Sequence, residues 1–161
     1  MTTLHFIDPH ADLWRPAPDE AAPRPAAGLL LRHDQWRAVR AGWPTEVPVG
    51  VVWPNDADVA ELVDDLSRLD LIALTFPRWT DGRAYSQARL LRGRWRWHGQ
   101  IRAVGDVIPD MAPLLWRSGF DTAVLRPGES TTVAQRALQA FDGHYQPDTR
   151  RTRAAAETAH G

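Results

Sequence analysis

Cysteine is absent from this sequence of 161 residues. The chain therefore forms no disulfide, offers no thiol nucleophile or CxxC redox pair, and has no thiolate to hold zinc or an iron–sulfur cluster. Lysine is absent as well, so all 19 basic residues are arginine. Its absence excludes a Schiff-base lysine, a lysine general base and the phosphate-binding lysine of a P-loop.

Short motifs that bind cofactors or carry catalysis are also missing. The sequence has no GxGxxG, GxxxxGK[ST], GxSxG or HExxH pattern. His5, Asp8, His10 and Asp12 are of metal-binding type, but no further residues complete a site. We therefore expect no metal and no cofactor, and a purified protein without flavin, haem or iron–sulfur absorbance.

Charge and hydropathy limit the partners that the chain can attract. Its net charge is −1, so no field of the whole protein draws it to nucleic acid or to a membrane. No apolar run approaches the roughly 18 residues of a membrane span, and the sequence opens on no basic and apolar signal segment. We expect a cytoplasmic protein that binds neither nucleic acid nor membrane.

Apolar runs with strand character alternate with amphipathic helical patterns along most of the chain. This alternation predicts an α/β fold with a mostly parallel sheet of about five βα units. An open three-layer sheet is our expectation, and a partial β/α barrel is the alternative. In both, ligands bind at the carboxyl ends of the strands. The expected strands are 28–31, 47–52, 71–76, 101–104 and 123–125, and the expected helices are 34–41, 57–69, 81–97, 109–118 and 131–141.

The same patterns predict a single α/β domain over residues 1–143. Residues 1–27 are expected to form a hairpin, with strands at 4–7 and 12–14, and then a proline-rich extended loop, because proline fixes φ and removes a backbone donor. The βα core then covers residues 28–143. The apolar pattern stops at about His144, so residues 144–161 are expected to be a disordered tail.

Polar residues collect in the loops that follow the predicted strands. Arginine forks bind oxyanions, and helix amino termini carry partial positive charge, so these loops predict a crevice with an anion site. The alternative is that the aspartates cap helices and pair with the arginines. Arg78 and Glu129 lie in the same loops. The candidate crevice residues are Thr80, Asp81, Arg83, Tyr85, Ser86, Arg89, Asp106, Asp110 and Arg126.

Two features suggest a protein partner. On the predicted helix 81–97, Tyr85, Arg89, Arg92 and Arg96 form one stripe, whose lower part is a solvated face or a partner surface. Eight tryptophans are many for this length. Aromatic residues usually belong to the core, but tryptophan and arginine also dominate protein interfaces. The candidates for a partner-facing role are Trp36, Trp43, Trp79 and Trp97.

One part of the chain resembles a known family. Its most specific blocks are Phe76-Pro77, Thr80-Asp81-Gly82-Arg83, YSQARLLR at 85–92, RAVGDV at 102–107 and Gly119-Phe120-Asp121. They resemble the bacterial family known as domain of unknown function 934. Members of that family are described as oxidoreductases, or as proteins associated with sulfite reduction.

The resemblance implies a role in sulfur assimilation, and the missing residues narrow that role. Reduction of sulfite to sulfide takes six electrons and needs metal cofactors, while this chain has neither cysteine nor a dinucleotide-binding motif. We therefore expect an accessory protein of assimilatory sulfite reduction that binds an enzyme of the pathway. The alternative is a small enzyme, an oxidoreductase or one acting on an oxyanion or phosphorylated substrate, with Asp81 or Asp106 as acid or base, Arg83 and Arg89 as anion clamps, and Tyr85 as proton donor.

Overall fold

The computed structural model describes residues 3–142. In this part of the chain no helix has the length and apolar character needed to cross a membrane. The elements in chain order are β1 (His5–Phe6), β2 (Arg15–Pro16), β3 (Leu29–Arg32), α1 (His33–Val39), β4 (Val49–Trp53), a 3-10 helix (Val59–Asp65), β5 (Leu71–Phe76), α2 (Arg83–Gly93), β6 (Gln100–Gly105), a 3-10 turn (Pro109–Met111), α3 (Ala112–Ser118), β7 (Thr122–Ala123) and α4 (Thr131–Asp142).

The seven strands form one parallel sheet in the order β1-β7-β6-β5-β4-β3-β2. Each of β3 to β7 therefore lies beside the strand that precedes it. Crossovers of one hand between consecutive neighbours place every helix on the same face, and the sheet curls into a half-barrel. The α/β class and the parallel sheet are confirmed. The open three-layer arrangement is wrong, because helices on both faces require a reversal in strand order, and the alternative partial barrel fits.

The N-terminal strands explain why there are seven strands and not about five. Each of the five strands β3 to β7 is followed by a helix or a helical turn. The other two, β1 and β2, are two-residue strands at the two edges of the sheet. β1 pairs with β7 and β2 pairs with β3, both in parallel. The expected N-terminal hairpin is therefore wrong, since residues 12–14 form no strand and β1 and β2 lie at opposite edges of the sheet. The predicted disordered tail, 144–161, lies outside the described residues.

The two faces of the sheet differ in what they contact. Along the outer face, Leu31, Val51, Ile72 and Ile101 form a row that belongs to the main apolar core with the helices. The opposite, concave face carries smaller and more polar residues. One of its rows contains Val52, Ala73, Arg102 and Thr122 in register.

Helix α2 is shorter than the predicted helix 81–97. It ends at Gly93, and the chain then reverses so that the Trp97 N–H donates to the Leu91 carbonyl over 2.9 Å. Arg96 takes a positive φ of 49° in this turn. The reversal brings the carbonyls of Trp97 and Gly99 to the Arg92 guanidinium, which donates to them at 2.8 and 2.7 Å. Arg92 also forms an ion pair with Asp121 and donates to the Gly119 carbonyl at 3.0 Å. The predicted surface stripe is therefore interrupted, because Arg92 holds the loops at the amino ends of β6 and β7.

Candidate functional site

Asp106 is the centre of the polar group at the carboxyl end of β6. Its carboxylate accepts two hydrogen bonds, from the backbone N–H of Trp79 over 2.7 Å and from Nη1 of Arg126 over 3.0 Å. Arg126 also donates from Nε to Glu129 over 3.0 Å. The Trp79 N–H, and then Arg126, hold the pKa of Asp106 below its usual value. The pKa of Arg126 is raised in turn, chiefly by its hydrogen bond to Asp106.

Asp81 lies one loop away, before the first turn of α2. Gly82, at the cap position, has no side chain, so Asp81 Oδ1 accepts the Arg83 backbone N–H over 3.1 Å. Arg83 Nη2 pairs with Asp81 Oδ2 at 3.2 Å. The backbone N–H of Arg83 is the main reason that the pKa of Asp81 is lowered. Asp81 thus accepts a backbone N–H at the start of the helix and pairs with an arginine, which is close to the alternative interpretation of these aspartates, although the cap position itself is Gly82.

Tyr85 lies in the first turn of α2 and is buried among aromatic rings. Its ring packs edge-on against Phe76 and Phe120, with centroids 5.0 and 6.3 Å away. Burial raises the pKa of the hydroxyl to about 12. The hydroxyl therefore keeps its proton at neutral pH.

The loops after β5 and β6 adjoin at one edge of the sheet, since Phe76 and Gly105, the last residues of the two strands, are paired. Asp81 with Arg83, and Asp106 with Arg126, form two separate groups there. Within residues 3–142, the remaining predicted side chains have no hydrogen bond or ion pair, and all are exposed. They are Thr80, Ser86, Arg89 and Asp110. That these residues bind a ligand stays a prediction.

Trp79 is the exposed aromatic residue at this edge. Its side chain is 50% exposed, while its backbone is held by Asp106. Arg78 beside it is exposed and has no ion pair within residues 3–142. The other tryptophans considered for a partner are buried, with their indole N–H groups satisfied internally: Trp36 donates to Asp65, Trp43 to the Val47 carbonyl and Trp97 to the Leu66 carbonyl.

The sequence analysis missed one pair of functional interest, between Asp12 and Arg102. Asp12 was grouped with possible metal ligands, but it pairs with an arginine on the concave face. In residues 3–142 no group of three or more His, Asp or Glu side chains could hold a metal ion. The available signal was an arginine within the otherwise apolar strand 101–104, where a charge needs a buried partner.

Comparison with known proteins identifies one family. The model described as "Bacterial protein of unknown function (DUF934)" matches residues 50–156. The match begins inside β4 and includes the loops that carry Trp79, Asp81 and Asp106. No curated protein matches the chain.

Proposed function

Since the chain belongs to this bacterial family of unknown function (DUF934), we propose that it is an accessory protein of assimilatory sulfite reduction that binds an enzyme of the pathway. The sulfite connection is what the family resemblance implies. Binding of a partner is supported by the carboxyl edge of the sheet, where Trp79 and Arg78 are exposed.

Trp79 is the observation that carries the proposal. Exposure of half of an indole to water is unfavourable, and enclosing it in a partner pocket lowers the free energy. Its backbone is already held by the 2.7 Å bond to Asp106, so little backbone conformational entropy is lost on binding. Tryptophan and arginine are the residues on which interface affinity most often depends. Arg78 supplies a charge beside the indole for a carboxylate of the partner.

The crevice carboxylates support binding over proton transfer. Asp81 and Asp106 already accept backbone N–H groups and pair with arginines, and their lowered pKa values keep them ionised at neutral pH. An ionised carboxylate of low pKa is a poor general acid and a weak general base. Tyr85, with a pKa of about 12, is a poor proton donor near neutrality. These groups fit a rigid docking edge.

Direct binding to purified enzymes of assimilatory sulfite reduction tests the proposal. We expect Trp79→Ala to weaken binding by roughly thirtyfold, the effect of losing a hot-spot residue. Leu13→Ala is the matched control, because Leu13 is 87% exposed but precedes β2, at the amino edge. It should bind as the unmodified protein does. The proposal fails if no enzyme of the pathway binds, or if the two variants bind equally.

A second candidate is a small enzyme or binding protein for an oxyanion. Arg89 favours it, since this arginine is exposed on α2 and has no ion pair within residues 3–142. Calorimetric titration with sulfite and with phosphate tests this candidate. Specific binding that Arg89→Ala removes, and that Arg94→Ala near the other end of α2 preserves, would favour it over docking.

A further inference from the structure

Arg102 lies in the middle of β6, on the concave face of the half-barrel. Its side chain is 3% exposed, and it meets Asp12 through two contacts, Nη1 to Oδ2 at 2.7 Å and Nη2 to Oδ1 at 3.3 Å. Its Nε donates to the Thr122 hydroxyl over 3.3 Å. The guanidinium thus presents its planar fork to a carboxylate that comes from a loop and not from the sheet.

That loop, residues 8–14, is called the strap below. Its own hydrogen bonds are local, from His10 and Ala11 to Asp8 and from Trp14 to Asp12. Within residues 3–142, the Asp12–Arg102 pair is the one hydrogen-bonded or ionic connection between the strap and the rest of the protein. The strap lies between β1 and β2, which have two residues each. Its one polar anchor on the concave face, within residues 3–142, is therefore the side chain of Asp12.

The concave face is closed toward the amino ends of the strands and more open toward the carboxyl ends. At Gly50 a Cβ atom would lie 2.7 Å from the Leu30 Cδ2, so the amino half admits no additional group. From the row of Arg102 toward the carboxyl edge, Val52, Thr75 and Val104 are only partly buried. Thr75 and Val104 are in register on neighbouring strands. Arg102 shares its row with the partly buried Val52, and the partly buried Thr75 and Val104 lie nearer the carboxyl edge.

The chemistry of the pair indicates what else could take the place of Asp12. Burying two charges costs desolvation energy, and apolar residues of similar volume often stabilise a fold as well or better. The guanidinium fork matches any anion with two adjacent oxygens. We propose that the concave face is a binding site for a small carboxylate or oxyanion, which replaces the Asp12 carboxylate on Arg102 when the strap is released. This site is separate from the edge that carries Trp79.

Titration of the unmodified protein with sodium sulfate and with sodium acetate tests the proposal, with sodium chloride at equal ionic strength as reference. We expect one of the two probes to raise the melting temperature saturably. The same probe should speed hydrogen exchange of the 10–14 amides by about fivefold or more, since the strap loses its anchor. The proposal is overturned if both probes act as chloride does. It is also overturned if one probe binds while the hydrogen exchange of the 10–14 amides stays as slow as in chloride.

Three variants locate the bound anion. Asp12→Ala removes the internal competitor and should bind the probe about tenfold more tightly, because the competent state is no longer a minor one. Asp12→Ala combined with Arg102→Met should bind none, and removing both partners of a buried pair preserves folding. Should Asp12→Ala not fold, Asp12→Asn serves the same purpose, since it keeps the shape and removes the charge. Equal binding by the double variant would place the anion elsewhere and overturn the proposal.

Discussion

The backbone N–H of Trp79 donates to the carboxylate of Asp106 over 2.7 Å, and this bond ties the loop after β5 to the end of β6. The two residues are far apart in the chain, but their loops follow paired strands. Asp106 is held on its other side by Arg126. One carboxylate therefore fixes both the loop that exposes Trp79 and the loop that leads into α4.

The first prediction concerns the pH dependence of this connection. The folded pKa of Asp106 lies below its ordinary value of 3.8, so its contribution to stability is present above that value. The contribution is lost as the pH falls through the folded pKa. We expect a carboxyl titration of Asp106 by NMR to give a pKa below 3.8, and Asp106→Asn to lower the melting temperature at pH 7 but not in acid.

Asp110 provides the control for this measurement. It is exposed and has no hydrogen bond or ion pair from its side chain within residues 3–142. Asp110→Asn should therefore leave the melting temperature nearly unchanged at both pH values. A destabilisation as large as that of Asp106→Asn would show that general charge, and not the bond to Trp79, accounts for the effect.

The second prediction compares two residues of α2. Leu91 is fully buried in the core, and its truncation to alanine should lower the free energy of unfolding by about 2–5 kcal/mol through lost burial and a cavity. Arg83 is mostly exposed, so Arg83→Ala should change stability little. Thermal and denaturant melts of the two variants check this. If Arg83→Ala melts as early as Leu91→Ala, Arg83 is a structural residue and no longer a candidate for binding.

The third prediction concerns the concave face at Gly50. A Cβ there would approach Leu30 Cδ2 to 2.7 Å and Leu71 Cβ to 3.1 Å. We expect Gly50→Ala to destabilise the protein by about 1–3 kcal/mol through overpacking. Gly93→Ala is the control, because nothing lies within 4 Å of its added Cβ and alanine favours helix. Equal stabilities of the two variants in urea melts would contradict the tight contact at Gly50.

The fourth prediction concerns Arg92, which was expected on the surface. Because its guanidinium binds Asp121 and three carbonyls, Arg92→Met should lower the free energy of unfolding by about 3 kcal/mol. Arg96→Ala, in the exposed turn after the same helix, should change it by less than about 0.5 kcal/mol. A stability loss for Arg92→Met as small as that of Arg96→Ala would show that Arg92 contributes no more to stability than an exposed residue does.

Local patterns predicted the elements with long, regular sequences best. Strand β5 occupies the residues expected for it, since an apolar run of six bounded by turn residues has few other solutions. The helix expected at 81–97 was too long, because its pattern continued into Trp95 and Trp97. Those residues instead fold back beneath the helix, where the Trp97 indole donates to the Leu66 carbonyl. The spacing of apolar residues indicates which side chains are buried, but it does not indicate where the chain leaves the helix and turns back.

The sequence by itself determined the α/β class, the parallel sheet, the family and the chemistry that missing cysteine and lysine rule out, because these depend on composition and local order. Only the tertiary structure decided that the sheet curls into a half-barrel with β1 and β2 at opposite edges. It also decided that Asp12 meets Arg102 and that Trp79, unlike Trp36, faces solvent. The physical reason is that pairings between distant residues depend on the order of the strands and on the curvature of the sheet. Local sequence patterns predict neither of these.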